Sequence, residues 1–473
     1  MNAEEPLLIG AYRSYETIDQ FDEDEQITYS SELQKLIGSS APLVITFFLQ
    51  YTFAVTCLYS AGLLGPLELG ACSLAICTFN ISGLAIFQGM ATSLDTFCSQ
   101  SFGAGNLHGV GVYFQRCSLV MLATMVPMSF FWWNARWVLS IFISDDELTL
   151  MAQRFLRIHL IGVPAYIFIE SGKRFLQAQH IFSAGTYVLV AAAPFNIFLN
   201  WLLVWNGKTS LGFDGIPLCI AITYWAILLA GFGYVVFVDG RQCWGGFTSK
   251  AFSKWLAILK LAIPGVIMVV SEYLAFEIMV IFAASFGTEA LAAQSIAANL
   301  ASLVYQPPFA YAVALSTRVG HHIGTKKIKG AKIDTSLFYF SAAVIGLINC
   351  SIFVFGRNLL GRLFTDDETV LQTTAGLNVL VGINQIADTF NVLGTGVLRG
   401  QGRQKVGSIL NSISYYVIAI PLGYTLAFKL GFELKGLWCG LIVAVMFLAT
   451  TQCFVIASSN WTQILENSDK IHD

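Results

Sequence analysis

Two glutamates, Glu272 and Glu277, stand inside an apolar run from about Leu256 to Phe286, long enough to cross a bilayer. An ionised carboxylate at the centre of a membrane helix costs roughly 2.5–3.5 kcal/mol on insertion scales. No Lys or Arg separates the two acids. Three physical readings are open: they line a wet cavity, they carry protons, or they hold a cation. All three belong to transport chemistry. Asp388 joins them. It precedes Arg399 by roughly 17 Å of helical rise, and Glu272 follows Lys260 by roughly 18 Å. Both therefore fall near the midplane of a hydrocarbon core about 30 Å thick. Glu277 is shallower and lies about 140° around the helix from Glu272.

The chain that must position these acids has 473 residues, 56% hydrophobic and 12% charged, with a mean hydropathy of +0.67. Soluble domains carry about 25% charged residues, so this is the composition of a polytopic membrane protein. The net charge of −3 says little about partners, and the lack of a basic patch argues against nucleic acid. Apolar runs near 36–62, 69–97, 114–138, 152–176, 183–205, 215–238, 256–286, 290–317, 335–356, 370–398, 408–428 and 436–457 predict twelve transmembrane helices. Most of the 26 Lys and Arg fall in connections on the side of the N-terminus. By the positive-inside rule both termini are expected in the cytosol.

The two halves repeat. Pro42 matches Pro264 and Gly65 matches Gly287, while Leu94, Thr96 and Gly103 match Leu315, Thr317 and Gly324 at almost the same offset. Six spans per repeat return the chain to its starting side, so the repeats are parallel, related by an axis along the membrane normal. The fold class that follows is an all-α integral membrane protein with twelve transmembrane helices in two parallel six-helix lobes. The N-terminal lobe is expected at 35–238 and the C-terminal lobe at 256–457, joined by a cytosolic linker at 239–255. A disordered cytosolic tail is expected at 1–34 and a second tail at 458–473. Within the first tail, Glu4 with Leu8 and Ile9 fits an acidic dileucine sorting pattern. The vacuolar and plasma membranes are the expected locations.

The lobes are chemically unequal. Glu272 maps onto Gln50 in the first half and Asp388 onto Tyr166. Only Glu170 is acidic nearby, with Lys173 and Arg174 within a turn to neutralise it. Burial penalises the charged form of a carboxyl, so such groups exchange protons or hold a cation. The candidate coupling and substrate-binding set is Glu272, Asp388, Glu277, Asn299 and Gln50. Asp95 and Arg318, at the ends of the second and eighth spans, are expected to help close an inner gate. Ser144 with Glu147, and Thr365 with Glu368, read as capping boxes opening the fourth and tenth spans. The pair Pro307 and Pro308 is expected to interrupt the eighth span. Nine of the ten cysteines lie in or at the ends of apolar runs and Cys243 in a loop; neither a disulfide framework, a metal site nor a cofactor is implied.

Three blocks carry a family pattern. Residues 93–105, from Ser93 through Asp95, Gln100 and Gly103 to Gly105, continue into Gly111–Arg116; Leu315–Gly320 and Leu398–Gln404 follow, with Asn411, Tyr415, Tyr416 and Pro421 extending the last. Together they resemble the multidrug and toxic compound extrusion (MATE) family over roughly residues 33–457, and within it the eukaryotic branch, fungal members included. The resemblance implies antiport: organic cations, other xenobiotics or metabolites leave in exchange for protons as the lobes expose a cleft to alternate sides. It also implies that Glu272, Glu277 and Asp388 are the carboxylates of the seventh and tenth spans. H+ is the implied coupling ion, with Na+ as the alternative, and no cofactor or enzymatic activity is expected. The implied partners are a small-molecule organic cation or xenobiotic and the lipid bilayer, with the protein a monomer. Prokaryotic members often carry an aspartate in the first span, which this chain lacks. Animal members carry a further Glu in the eighth span, where this chain has Asn299. The competing readings are a lipid flippase on a related fold, the major facilitator fold, and a membrane-embedded transferase.

Overall fold

The computed structural model describes residues 27–143 and 145–472. The described chain is built from long helices that run back and forth between two faces. They are α1 (Tyr29–Leu64), α2 (Pro66–Gly103), α3 (Leu107–Trp133), α4 (Ala135–Phe142), α5 (Asp146–His159), α6 (Val163–Ala178), α7 (Ser183–Trp205), α8 (Gly212–Phe237), α9 (Trp255–Ala284), α10 (Thr288–Gly324), α11 (Ile328–Arg362), α12 (Glu368–Gly400), α13 (Gln404–Lys429), α14 (Glu433–Ala457) and α15 (Trp461–His472). α5 and α6 form one traverse, and α4 is a short surface helix. Twelve traverses result, in two lobes of six, α1–α8 and α9–α14. The face that bears Ile27 and α15 is called the terminal face below. Phe237, Phe355 and Phe130 project outward and are largely exposed, the side chains that a bilayer rather than water must cover.

Several local expectations are corrected. α1 begins at Tyr29, inside the stretch expected to be disordered. Thr28 caps it by accepting the Ser31 N–H at 3.3 Å, and Glu32 in its first turn is buried against Arg318. The dileucine pattern lies outside the described residues, as does Ser144. The opening caps of α5 and α12 are Asp145 and Asp367, not Ser144 and Thr365. Each aspartate accepts two backbone N–H groups, of Glu147 and Leu148 in one case and of Thr369 and Val370 in the other. A carboxylate there also meets the positive end of the helix dipole, and the hydrogen bond from Thr369 holds the Asp367 carboxyl below its ordinary range.

Pro307 and Pro308 do not interrupt α10, which continues through both. Pro308 has no N–H to give to the carbonyl four residues back. The Asn349 carboxamide of α11 donates to that Val304 carbonyl at 3.3 Å instead. The freed group is satisfied from a neighbouring helix, so the helix does not break. The connection from α8 to α9 is likewise tied down. Gln115 of α3 donates to the Gly246 carbonyl at 2.8 Å, Arg116 donates to the Lys250 carbonyl at 3.0 Å, and Cys243 is fully buried. The chain after α14 folds into α15, whose Ile464 enters an apolar cluster with residues of α1, α10, α11 and α12.

The first helix of each lobe crosses to the other. Leu36 of α1 belongs to the cluster formed by Tyr311, Leu315, Leu337 and Leu398 of the second lobe. Ile258, Leu261 and Ala262 of α9 belong to the core of the first. Pairing of α9 with α2 depends on two glycines. A Cβ at Gly89 would lie 2.5 Å from Cα of Val266, and one at Gly265 would collide with Thr92 and the Gly89 carbonyl. Neither backbone can retreat without separating the lobes. Gly265→Leu is therefore expected to hold the terminal face open, read as faster thiol labelling of Ser316→Cys, which replaces a side chain 1% exposed in the seam. Unchanged labelling would show that this contact does not govern closure.

Candidate functional site

A cavity of about 610 Å³ lies between the lobes. α9 brings Glu272 and Glu277 to it, α12 brings Asp388 and Arg399, and α1 brings Gln50. Glu272 and Asp388 stand within electrostatic reach of one another, and the Asn391 amide lies 3.5 Å from Asp388 Oδ1. Four of the five residues expected to form the site thus share one wall or its facing helix. Asn299 is not in the lining; its Oδ1 accepts the Tyr51 hydroxyl at 2.9 Å, a bond from α1 to α10 across the cleft. Phe47, Tyr305, Phe309, Tyr224 and Trp438 supply aromatic surface. The Trp438 indole donates to Gln294 Oε1 at 2.8 Å, leaving its ring as the apolar contact. On the opposite side Lys173 meets Glu170 at 2.5 Å, as the spacing suggested, so that acid is neutralised locally.

Below the cavity, toward the terminal face, polar groups bind the lobes together. The Thr96 hydroxyl donates to the Arg399 carbonyl at 2.6 Å, and Gln404 donates to Thr96 Oγ1 at 2.8 Å. Gln100 donates to the Gly400 carbonyl at 2.9 Å and accepts the Ser468 hydroxyl of α15 at 2.8 Å. Asp95 and Arg318 both lie in this region but are not partners. Asp95 pairs with Arg174 at 3.3 Å inside its own lobe. Arg318 binds Glu32 of α1 through contacts of 2.6, 2.7 and 3.0 Å. Each has its own partner on the terminal-face side of the cavity, and for Arg318 the crossing of α1 brings that carboxylate. His322 and Asp334 sit 3.5 Å apart beside Glu32, but the guanidinium already occupies the place a cation would take. Next to them His180 meets His321 edge to face, centroids 4.9 Å apart. Burial, with Arg318 and His322 close by, holds the His180 imidazole down at about 3, so it packs as a neutral ring.

Sequence reasoning missed the seam contacts of Glu32, Gln100 and Gln404 and the place of Arg399 in the cavity lining. Glu32 lay in a stretch read as tail. Arg399 stood in plain view eleven residues from Asp388, which is about three helical turns, and served only as a depth marker.

The arrangement is that of a two-lobed polytopic membrane bundle with a central cleft, closed on one face. The MatE family model matches it twice, at residues 42–202 and 264–425, once per repeat. The chain belongs to the MATE family. An uncharacterized transporter of Saccharomyces cerevisiae is 40% identical over 95% of this chain, which spans 66% of that relative's length. Multidrug and toxin extrusion protein 1 of Oryctolagus cuniculus is 29% identical over 94% of this chain and 78% of its own. Among solved structures, a eukaryotic MATE transporter superposes with a TM-score of 0.88 at 24% identity, over 94% of this chain and all of that one. The twelve-helix, two-lobe expectation and the family resemblance are both met.

Proposed function

We propose that this MATE transporter is a proton-coupled antiporter that exports amphipathic aromatic solutes, organic cations among them, with Glu272 and Asp388 as the coupling pair. One observation carries the reading: two carboxyl groups from different helices line one cavity of solute size within electrostatic reach, and one rides on the helix that crosses between the lobes. A cationic solute and a proton compete for the same charge. When the acids are neutralised by protons, the solute loses its counter-charge. When they are ionised, α9 and α12 carry a net negative wall into the cleft, which favours solute entry. Glu277, on the same helix and the same cavity, adds to that wall. Both termini are assigned to the cytosol, so the closed terminal face faces the cytosol in this conformation and the cleft belongs to the opposite side.

The test is transport in vesicles containing the purified protein, with a rhodamine ester as the cationic probe and an imposed pH difference. Accumulation that follows the pH difference, accompanied by counter-movement of protons, supports the antiporter. Equilibration that ignores the pH difference, or lipid headgroup scrambling without dye movement, overturns it.

A further inference from the structure

The segment between α8 and α9 carries an exposed apolar and basic surface that neither lobe uses. Phe247 is 92% exposed and Phe252 71%. Both stand past the end of α8, outside the traverses that hydrocarbon covers. Neither is on a loose strand. The Gln115 carboxamide of α3 grips the backbone on either side of Phe247, donating to the Gly246 carbonyl at 2.8 Å and accepting the Thr248 N–H at 3.2 Å. The Trp244 ring stands edge to face against Phe247, centroids 5.2 Å apart, and packs inward on Phe114 of α3. Phe252 follows the buried Ala251, whose carbonyl accepts the Trp255 indole N–H at 2.8 Å. Two phenylalanines are therefore held out from the body of the protein by a fixed backbone. A ring of this size left in water forfeits the free energy its burial would yield, and a bilayer interface supplies that cover.

The charges of the segment fit the same cover. From Gly240 to Ser271 the chain has no Asp or Glu, and it has Arg241, Lys250, Lys254 and Lys260. Arg241, Lys250 and Lys254 are exposed in the same short segment as the two rings. Arg116 of α3 adds a further cation, donating to two neutral acceptors, the Lys250 carbonyl at 3.0 Å and Ser253 Oγ at 3.4 Å. The other basic run of this face, from Lys326 to Lys332, is different. It holds no aromatic residue, and Lys326 is answered by Asp469 at 3.1 Å. We infer that the stretch from Arg241 to Lys254 is a docking surface for the anionic phospholipid headgroups of the leaflet at the terminal face. Phe247 and Phe252 enter the interface, and Arg241, Lys250 and Lys254 meet the headgroup anions. Basic residues beside a membrane span are drawn to anionic lipid, and rings among cations set the depth at which the chain lies. The stretch is pinned to α3 and runs on into α9, so a headgroup held there fixes the junction of the two lobes in the membrane plane.

The experiment uses the full chain in uncharged detergent micelles and two short-chain lipids with the same fluorescent acyl label, a phosphatidylserine and a phosphatidylcholine. Binding of each is read by fluorescence polarisation. The wild type is compared with the triple variant Arg241→Gln, Lys250→Gln, Lys254→Gln and with the double variant Phe247→Ser, Phe252→Ser. Lys329→Gln with Lys332→Gln is the matched change elsewhere on the same face. The wild type is expected to prefer phosphatidylserine by about tenfold or more, and the triple variant to lose most of that preference. The phenylalanine variant should bind both lipids more weakly and keep the preference, and the matched variant should behave as the wild type. A wild type without preference, a preference that survives the triple change, an equal loss in the matched variant, or phenylalanine changes that alter neither affinity would each overturn the docking surface. Should a variant fail to fold, the wild type decides by its salt dependence: a preference that does not fall as salt rises is not held by exposed cations. The readout is equilibrium binding without a gradient, so it stands whether or not transport proves to be coupled to protons.

Discussion

Glu272→Gln abolishes gradient-driven accumulation of a cationic probe while the protein still folds and binds: that is the largest effect expected from this structure. Glutamine keeps the shape and hydrogen-bonding capacity of a protonated glutamic acid but has no proton to release. For an exchange of one proton per solute, one unit of pH difference is worth 1.36 kcal/mol, or about a tenfold concentration ratio. Wild-type vesicles should approach that ratio, and the variant should stay near about one, the uncoupled limit of the same relation. Asp388→Asn should behave alike, because the two carboxyls act on each other across the cavity wall. Glu277→Gln should reduce solute affinity without uncoupling. Dye accumulation against imposed pH differences reads all three. Accumulation by Glu272→Gln that still scaled with the gradient would falsify the assignment of coupling to α9.

The second large effect concerns Arg318. Its guanidinium joins α10 to Glu32 of α1, with a closest contact of 2.6 Å, and the Glu32 side chain is 1% exposed. Removing one member of a buried pair leaves the other charged and unsolvated, at a cost of roughly 3–5 kcal/mol. The pair spans the two lobes, so the penalty falls on the conformation in which the terminal face is closed. Arg318→Ala should lower the thermal midpoint and raise the labelling rate of Ser316→Cys, since opening the seam lets water reach a carboxylate left with only the longer contacts to His322 at 3.5 Å and Lys35 at 3.7 Å. The double variant Glu32→Leu with Arg318→Met removes both charges, and should recover most of the midpoint. Labelling and midpoint that do not move in Arg318→Ala would mean that the pair contributes nothing to closure.

Long periodic features were legible in the chain itself. Apolar runs located the twelve traverses to within seven residues at either end, and the near-constant offset between Pro42 and Pro264, or Gly103 and Gly324, exposed the repeat. Midplane acids could be found because charge in hydrocarbon is expensive enough to be rare. Contacts between lobes were less accessible, since they depend on which helix crosses to which side. Asp95 and Arg318 could be placed at the ends of their spans, but the partner of Arg318 could not be named, because only the crossing of α1 brings Glu32 to it. The proline pair misled for a related reason. Local chemistry demands that Pro308 free a carbonyl, but Asn349, forty-one residues away in α11, answers it. Gln100 and Gln404 stood inside the family blocks, but nothing in those blocks showed that they hold the seam through backbone carbonyls of the other lobe.

The crossing of α1 and α9 makes each lobe depend on the other for its own completion. Two six-helix units related by an axis along the membrane normal are the two halves of a symmetric pair. Each lends its first helix to its neighbour: Leu36 is enclosed by the second unit, and Ile258 with Ala262 by the first. That is the geometry of an exchanged-arm dimer, realised within one chain through the stretch from Val238 to Lys254. In such an assembly neither half is a finished body. The two arms are not alike: at the paired positions Gln50 and Glu272 one carries an amide and the other the acid.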